Sequence, residues 1–368
     1  MLVLKKKNFP ISSDFKKKIN SHSRKLDLKL KINLKTNILY LDNYWDYKLI
    51  RPKYDWVKYS EPETHLIKIQ KAIKKINKNK SKKILCCSYK DNSLSEYFKK
   101  DSKIYQIGNN LKYSGVEVCQ DIISNKKFNQ KFDLIIARHI VEHVFDLDKF
   151  FISLEKISTN DTLIYFEVPD VEKLLKIRDY NLIWEDHTNY FTINSFENFL
   201  LNKNFKIIYK KKINQPFEDL ICIIVKKSLT KTKNLKKNDF KMKNLIMCFK
   251  DFFFQNKKKI NNFFLKNKKN KIFIFGAGHL TNTFIHLNDL TNFINFIIDD
   301  DKNKKNMFFP NTKIKIINVN DFKKIKGSKI CLIGANPANE SKIINRLRIE
   351  NCKFYSIFSS SRRYILNK

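Results

Sequence analysis

Arginine is nearly missing from this strongly basic chain. Of its 74 lysine and arginine residues only 8 are arginine, although the formal net charge is +38. Recognition of phosphates and bases leans on the planar, two-pronged guanidinium, so the charge does not read as a nucleic-acid site. The lysines run through every region instead of forming a stripe, and with abundant Asn, Ile and Phe they look like the codon usage of an AT-rich genome. Long apolar runs are also missing. None approaches the roughly 18 residues of a membrane span, and MLVLKKKNF brings charge too early for a secretory signal. Cysteines are few and odd in number, 7. Cys222 in LICIIV and Cys331 in KICLIG read as small buried hydrophobes of a reducing compartment. The vicinal pair Cys86-Cys87 forms no CxxC clip, and no spacing suits zinc. The expectation is a cytoplasmic protein with no specific nucleic acid, no membrane and no metal. Oligomeric state is not legible.

What is present is a globular composition, 42 % hydrophobic over 368 residues, enough for two cores. Residues 1–60 open as a lysine-rich arm with short alternating pieces such as LDLKLKINL, an exposed β-ribbon or a loosely ordered segment. From Leu66 the spacing of Leu66, Ile69, Ala72 and Ile73 predicts a helix face. KKILCCSY, KIYQIG, FDLIIA and DTLIYFEVP read as strands, the last closed by Pro169. Helices are expected over SLSEYFKK, DLDKFFISLEKI with Asp146 or Asp148 at its cap, and SFENFLLNKNF capped by Ser195. KIIYKK and DLICIIVKK end the series as strands. This alternation predicts an α/β fold, a doubly wound sheet with an antiparallel finish over residues 61–228. Residues 229–268 carry no strand signal and read as a linker with a helix. A fresh strand–helix pattern opens at KIFIFGAGHL, so residues 269–368 form a second, smaller Rossmann-like domain.

The most informative segments are FDLIIARHIVEH, Phe132–His143, and WEDHTNYF, Trp184–Phe191. The first is an apolar strand whose carboxyl end delivers Arg138, His139, Glu142 and His143. Open α/β sheets place their ligands at such strand ends. The second sets Glu185, Asp186 and His187 among aromatic residues. HIVEH also fits the H-x-x-E-H pattern of a zinc peptidase class, but it sits at a strand end and not within a helix, so a metal is not expected. His143 reads as a residue packing under the sheet. Glu167, at the end of LIYFEVPD, either faces a substrate or caps its strand toward solvent.

With YDWVKYSEPETHL, FDLIIARHIVEHVFDLDKF, LIYFEVPD and WEDHTNYFT taken together, residues 40–228 resemble the class I S-adenosylmethionine-dependent methyltransferases. Among these they are most similar to sugar C-methyltransferases with an extra C-terminal domain. The resemblance implies that S-adenosylmethionine lies across the strand ends at Ser88, Tyr89, Gln120, Asp121, Ala137, Arg138 and His139. Asp121 would take the adenine amino group, and the backbone of Ala137 and Arg138 the sulfonium end. It implies His187 as the base that removes an α-proton before enolate methylation, a task suited to imidazole. Tyr59 would assist, Glu185 and Asp186 would orient the histidine, and Asp186 could equally touch a substrate hydroxyl. Two departures stand out. The loop CCSYKDNS has no glycine where the family's backbone closely approaches the cofactor, and KIYQIGNN offers Gly108 where a ribose-binding acid belongs. Either side chains replace these contacts or affinity is lost.

The second domain carries Gly276-Ala277-Gly278, with Thr281 where a third glycine of a dinucleotide fingerprint would stand and Asp299 at the distance of its acid. GAGHLT, IIDDD and CLIGANPAN match the accessory domain of the same methyltransferases. That match implies a nucleotide-linked sugar between the domains, touching Glu167, Gly276, Gly278 and His279; NAD is the competing ligand. The family's N-terminal zinc module is absent or degenerate, since residues 1–60 hold no cysteine. The leading expectation is a small-molecule methyltransferase. The alternative is an inactive relative kept as a binding or scaffold protein.

Overall fold

The computed structural model describes residues 1–19, 22–42, 47–57, 61–77, 81–107, 130–228 and 240–367. The lysine-rich start is not an exposed ribbon. It folds as β1 (Leu2–Pro10), β2 (Lys25–Asn33) and β3 (Ile38–Leu41), an antiparallel sheet. Alternation along β2 buries Leu26, Leu28, Leu30 and Ile32 on one face. That face needs a cover, and it packs in one core with Leu174 and with Met242, Ile246 and Phe249 of the long helix Phe240–Lys266. Partners so distant in sequence are what the local pattern could not reveal.

The doubly wound sheet is built as expected from β4 (Lys83–Cys86), β5 (Lys103–Gln106), β6 (Phe132–Arg138) and β7 (Ser158–Asp170), which run parallel. After β8 (Asn189–Tyr190), which joins β3, the strands β9 (Phe205–Ile213) and β10 (Asp219–Lys227) close the sheet antiparallel. The order is β5-β4-β6-β7-β10-β9. β7 does not stop at Pro169. It runs on to Asp170, beyond the last β6 pair Arg138–Glu167; there β10 pairs with Pro169 and the β6 ladder has ended, so a missing N–H costs less.

The helix Leu66–Ile76 buries Leu66, Ile69 and Ile73 against this sheet. Asp146 caps the helix Leu147–Lys156 by accepting from the Lys149 N–H at 2.9 Å. Thr192, not Ser195, caps the helix Ile193–Asn202. Ser195 stands three residues inside and returns the bond to the Thr192 N–H at 2.9 Å, a reciprocal capping box.

The second α/β unit comprises β11 (Lys271–Phe275), β12 (Phe296–Ile298), β13 (Lys315–Ile317), β14 (Lys329–Ile333) and β15 (Cys352–Ser356), all parallel in the order β13-β12-β11-β14-β15. Buried hydrogen bonds seam it to the rest. Thr283 Oγ1 donates to the Ile183 carbonyl at 2.6 Å, Asn282 Nδ2 to that of Pro10 at 3.0 Å, and Asn181 Nδ2 to that of Ile357 at 3.0 Å. No helix among the described residues is long and apolar enough to cross a membrane.

Candidate active site

The glycine-free turn after β4 closes by side-chain chemistry. Ser88 caps a single turn, Tyr89–Asp91, and Asp91 accepts from the Ser88 N–H at 2.8 Å in a capping box. The other Asp91 oxygen accepts from the Arg138 N–H at 2.9 Å, tying this turn to the end of β6. Burial pushes the Asp91 carboxyl up to about 7, against the pull of those donors. Tyr89 is half-buried beside it, and burial raises its phenol.

At the end of β6 the chain delivers two cations into the protein. Arg138 is fully buried. Its guanidinium meets Glu167 at 3.1 Å, donates to the Pro62 carbonyl at 3.3 Å, and also reaches the Lys90 carbonyl. His139 follows with φ of +49°, a left-handed turn that swings its ring back over the strand end. Its Nδ1 lies 3.2 Å from Glu142 and its Nε2 3.2 Å from Glu167. Burial disfavours its charge, but Glu61, Glu142 and Glu167 outweigh this and raise it to about 10. Glu167 thus neither faces solvent nor stands free. It is wholly buried, also bonded to His65 Nε2 at 2.9 Å and to the Tyr165 hydroxyl, and its cationic partners hold it well below the usual carboxylate range despite burial. Above it, Lys90 pairs with Glu61 at 2.5 Å; burial opposes the Glu61 charge, yet Lys90, His139 and His143 keep its carboxyl at about 2.

The second motif meets the first here. His143 Nδ1 lies 2.8 Å from the Asp186 carbonyl oxygen and 3.5 Å from its carboxylate. His143 therefore does not simply pack under the sheet: it turns to the WEDH loop, its ring edge-on to that of His187 with centroids 4.8 Å apart. Burial would lower His143, but Asp186 raises it; burial likewise opposes the Asp186 charge, and His143 lowers it. His187 goes the other way. Burial first, then repulsion from any positive charge on His143, His279 and Lys90, depresses it well below the ordinary histidine value. Two neighbouring imidazoles pushed apart in this way are suited to acid and base roles. Glu185 turns elsewhere: it accepts from the Ser12 N–H at 2.6 Å, pinning the WEDH loop to the N-terminal sheet, and burial raises it to about 7.

From the second unit, His279 opens the helix His279–Leu287 and stacks on Trp184 with centroids 4.2 Å apart. The Trp184 ring centre lies 4.6 Å from that of His187, so His279, with Gly278 just before it as the helix N-cap, joins the same aromatic cluster. Burial lowers His279 to about 4. Gly276, at φ +105°, packs against Ala335. Thr281 Oγ1 donates to the Gly276 carbonyl at 2.6 Å, and Asp299 accepts from the Ala277 N–H at 2.7 Å and from Lys304 at 3.1 Å. The fingerprint acid is therefore engaged in holding its own turn.

Of the residues singled out by sequence, Ser88, Tyr89, Ala137, Arg138, His139 and Glu167 gather at the ends of β4, β6 and β7, with Asp186, His187 and His279 beside them. Tyr59, Gln120, Asp121 and Gly108 lie outside the described residues. Sequence reasoning assigned no role to Glu61, His65 and Lys90, although SEPETH and the charged turn CCSYKDNS carry them. Glu218, in the β9–β10 turn, was also missed; burial and Glu142 raise it to about 8.

Comparison with known families separates the same two units. Residues 58–210 match the model of a methyltransferase domain, and residues 226–348 that of a C-methyltransferase C-terminal domain. No curated protein matches the chain. Among solved structures, an S-adenosylmethionine-dependent methyltransferase from Clostridium acetobutylicum is 15 % identical, covering 47 % of this chain and 93 % of that one at a TM-score of 0.34. The N-methyltransferase NodS from Bradyrhizobium japonicum, in complex with S-adenosyl-L-homocysteine, is 9 % identical, covering 44 % and 86 % at 0.32. Likenesses this faint assign no role to any residue of this chain.

Proposed function

We propose that this S-adenosylmethionine-dependent methyltransferase places its methyl group on a carbon beside the carbonyl of a nucleotide-linked sugar, by way of an enolate. One observation carries the reading. An imidazole whose protonation is disfavoured, His187, sits beside the His143–Asp186 pair, in which each partner favours the other's charge, and Trp184 and His279 from the two units stand against it. The match to a C-methyltransferase C-terminal domain supports carbon as the acceptor.

In this reading His187 accepts the α-proton through its free lone pair. The electron pair left on carbon attacks the sulfonium methyl, the carbon–sulfur bond breaks, and S-adenosylhomocysteine leaves. The donor is held by Ser88, Tyr89, Ala137, Arg138 and His139, with Gln120 and Asp121 at its adenine. The cations Lys90, His139 and His143 lower the cost of negative charge on the enolate oxygen or on a substrate phosphate. Tyr59 assists, Asp186 fixes His143 rather than His187, and Gly276, Gly278 and His279 flank the sugar nucleotide. The proposed place of action is the cytoplasm.

One observation favours an inactive binding protein instead: the Arg138 side chain crosses from β6 to the Lys90 and Pro62 carbonyls, over ground the donor would use. Calorimetric titration with S-adenosylmethionine separates the two. The enzyme reading expects wild type and His187→Ala to bind alike, and only wild type to methylate. No binding by wild type leaves the scaffold in front.

A further inference from the structure

The pattern H-x-x-E-H divides in space, with Glu142 shared between its halves. His139 turns to Glu167 and to one oxygen of Glu142, whereas His143 faces His187 of the WEDH loop. A carboxylate oxygen of Glu142 and one ring nitrogen each of His143 and His187 lie within 4.8 Å of one another. Glu142 is 1 % exposed, and its Oε2 is buried without a hydrogen-bond partner among the described residues. A buried, unsatisfied carboxylate oxygen is costly and calls for a cation. His143 is fixed at Nδ1 by the Asp186 carbonyl at 2.8 Å, which leaves Nε2 to ligate. Outer partners of this kind commonly orient metal-bound histidines.

We infer that Glu142, His143 and His187 bind a divalent first-row transition ion of the zinc type. Two imidazoles and one carboxylate suit zinc and its neighbours, while calcium and magnesium prefer all-oxygen sets. Ligands about 2.1 Å from a tetrahedral ion stand about 3.4 Å apart, so these side chains draw in by roughly 1 Å on binding. The three leave a fourth position for water or a substrate oxygen. The inference goes beyond the reading of His187 as a base and uses only its place. A nitrogen that holds the ion accepts no proton, so occupancy silences the base.

Protein stripped by a chelator is titrated with Co²⁺, read by its visible absorption, and with Zn²⁺ in competition against a chromophoric chelator. One equivalent is expected to bind, and Glu142→Gln and His143→Ala are each expected to weaken binding by about a hundredfold or more. Circular dichroism checks that each variant folds; if one does not, the other decides. Wild type that takes up no cobalt, or variants that bind it as tightly as wild type, overturn the site. Neither result touches the base reading. That reading fails separately, when metal-free wild type binds S-adenosylmethionine but performs no methylation while cobalt binding stays intact.

Discussion

Glu167 answers to Arg138, His139, His65 and Tyr165 at once, with no exposed surface. Removing one partner of such a buried set leaves charge uncompensated, whereas the whole set adds little over apolar packing. Arg138→Leu is therefore expected to cost about 3–5 kcal/mol in denaturant unfolding. Arg138→Lys should recover only part of that, because a lysine cannot reach Glu167 and two carbonyls with a fork. An Arg138→Leu protein as stable as wild type would remove the guanidinium from the centre of this network. At the same scale, the strand-end pattern ARHIVEH was legible as a site because ionisable side chains abruptly follow an apolar run. Which of them face one another was not. The left-handed turn at His139 divides the pattern, sending His139 toward Glu167 and His143 toward Asp186. No spacing rule encodes that turn.

Elements whose signal is local were read correctly, and those fixed by distant partners were not. The apolar runs of β6 and β10 and the helix Leu66–Ile76 declare themselves in periodicity. The cover over β1–β3 and the reach of β7 past Pro169 depend on neighbours that no window of sequence contains, whereas the cap at Thr192 is local, a box with Ser195 whose two hydroxyls compete for the cap position. The Gly276-Ala277-Gly278 turn belongs to both groups: its strand–turn–helix context was legible, but the reason for each glycine was not. Gly334, at the end of β14, lies against this turn, and a Cβ there would collide with Thr281 Oγ1 and come within 2.9 Å of Ile274 Cγ2. Gly334→Ala is thus expected to destabilise by about 1–3 kcal/mol, as overpacking of a tight site does. Gly278 has nothing within 4 Å of an added Cβ, so Gly278→Ala should cost less, about 0.5 kcal/mol, from the preference of an N-cap for Gly over Ala. Thermal unfolding of the two variants side by side checks the contrast. Equal losses would mean that close packing at Gly334 is not what the turn requires.

Three sheets share buried seams, so the molecule should respond to acid as a whole, and His286 is the group that reports it. It lies on the helix His279–Leu287, edge-on to Phe9 of the N-terminal sheet at 6.2 Å and 3.1 Å from the Pro310 carbonyl of the C-terminal unit. Burial holds its imidazole down at about 4, despite the Pro310 carbonyl. A histidine whose folded value lies below its unfolded one contributes stability fully above about pH 6.5 and loses it as pH falls toward 4. The shift corresponds to about 3 kcal/mol. Asp91 and Glu185, both held near 7, act oppositely: their contribution is full below the ordinary carboxylate range and is lost as pH rises through about 7. Between pH 4 and 6.5 the two effects oppose each other, and wild-type stability should vary less than any one group demands. His286→Gln keeps a donor for Pro310 and removes the titration. Measured by urea unfolding, its stability relative to wild type should rise by about 3 kcal/mol between pH 7 and pH 4. Parallel curves for the two proteins would mean that the seam opens and hydrates His286 before the molecule unfolds, so that its three sheets do not melt as one.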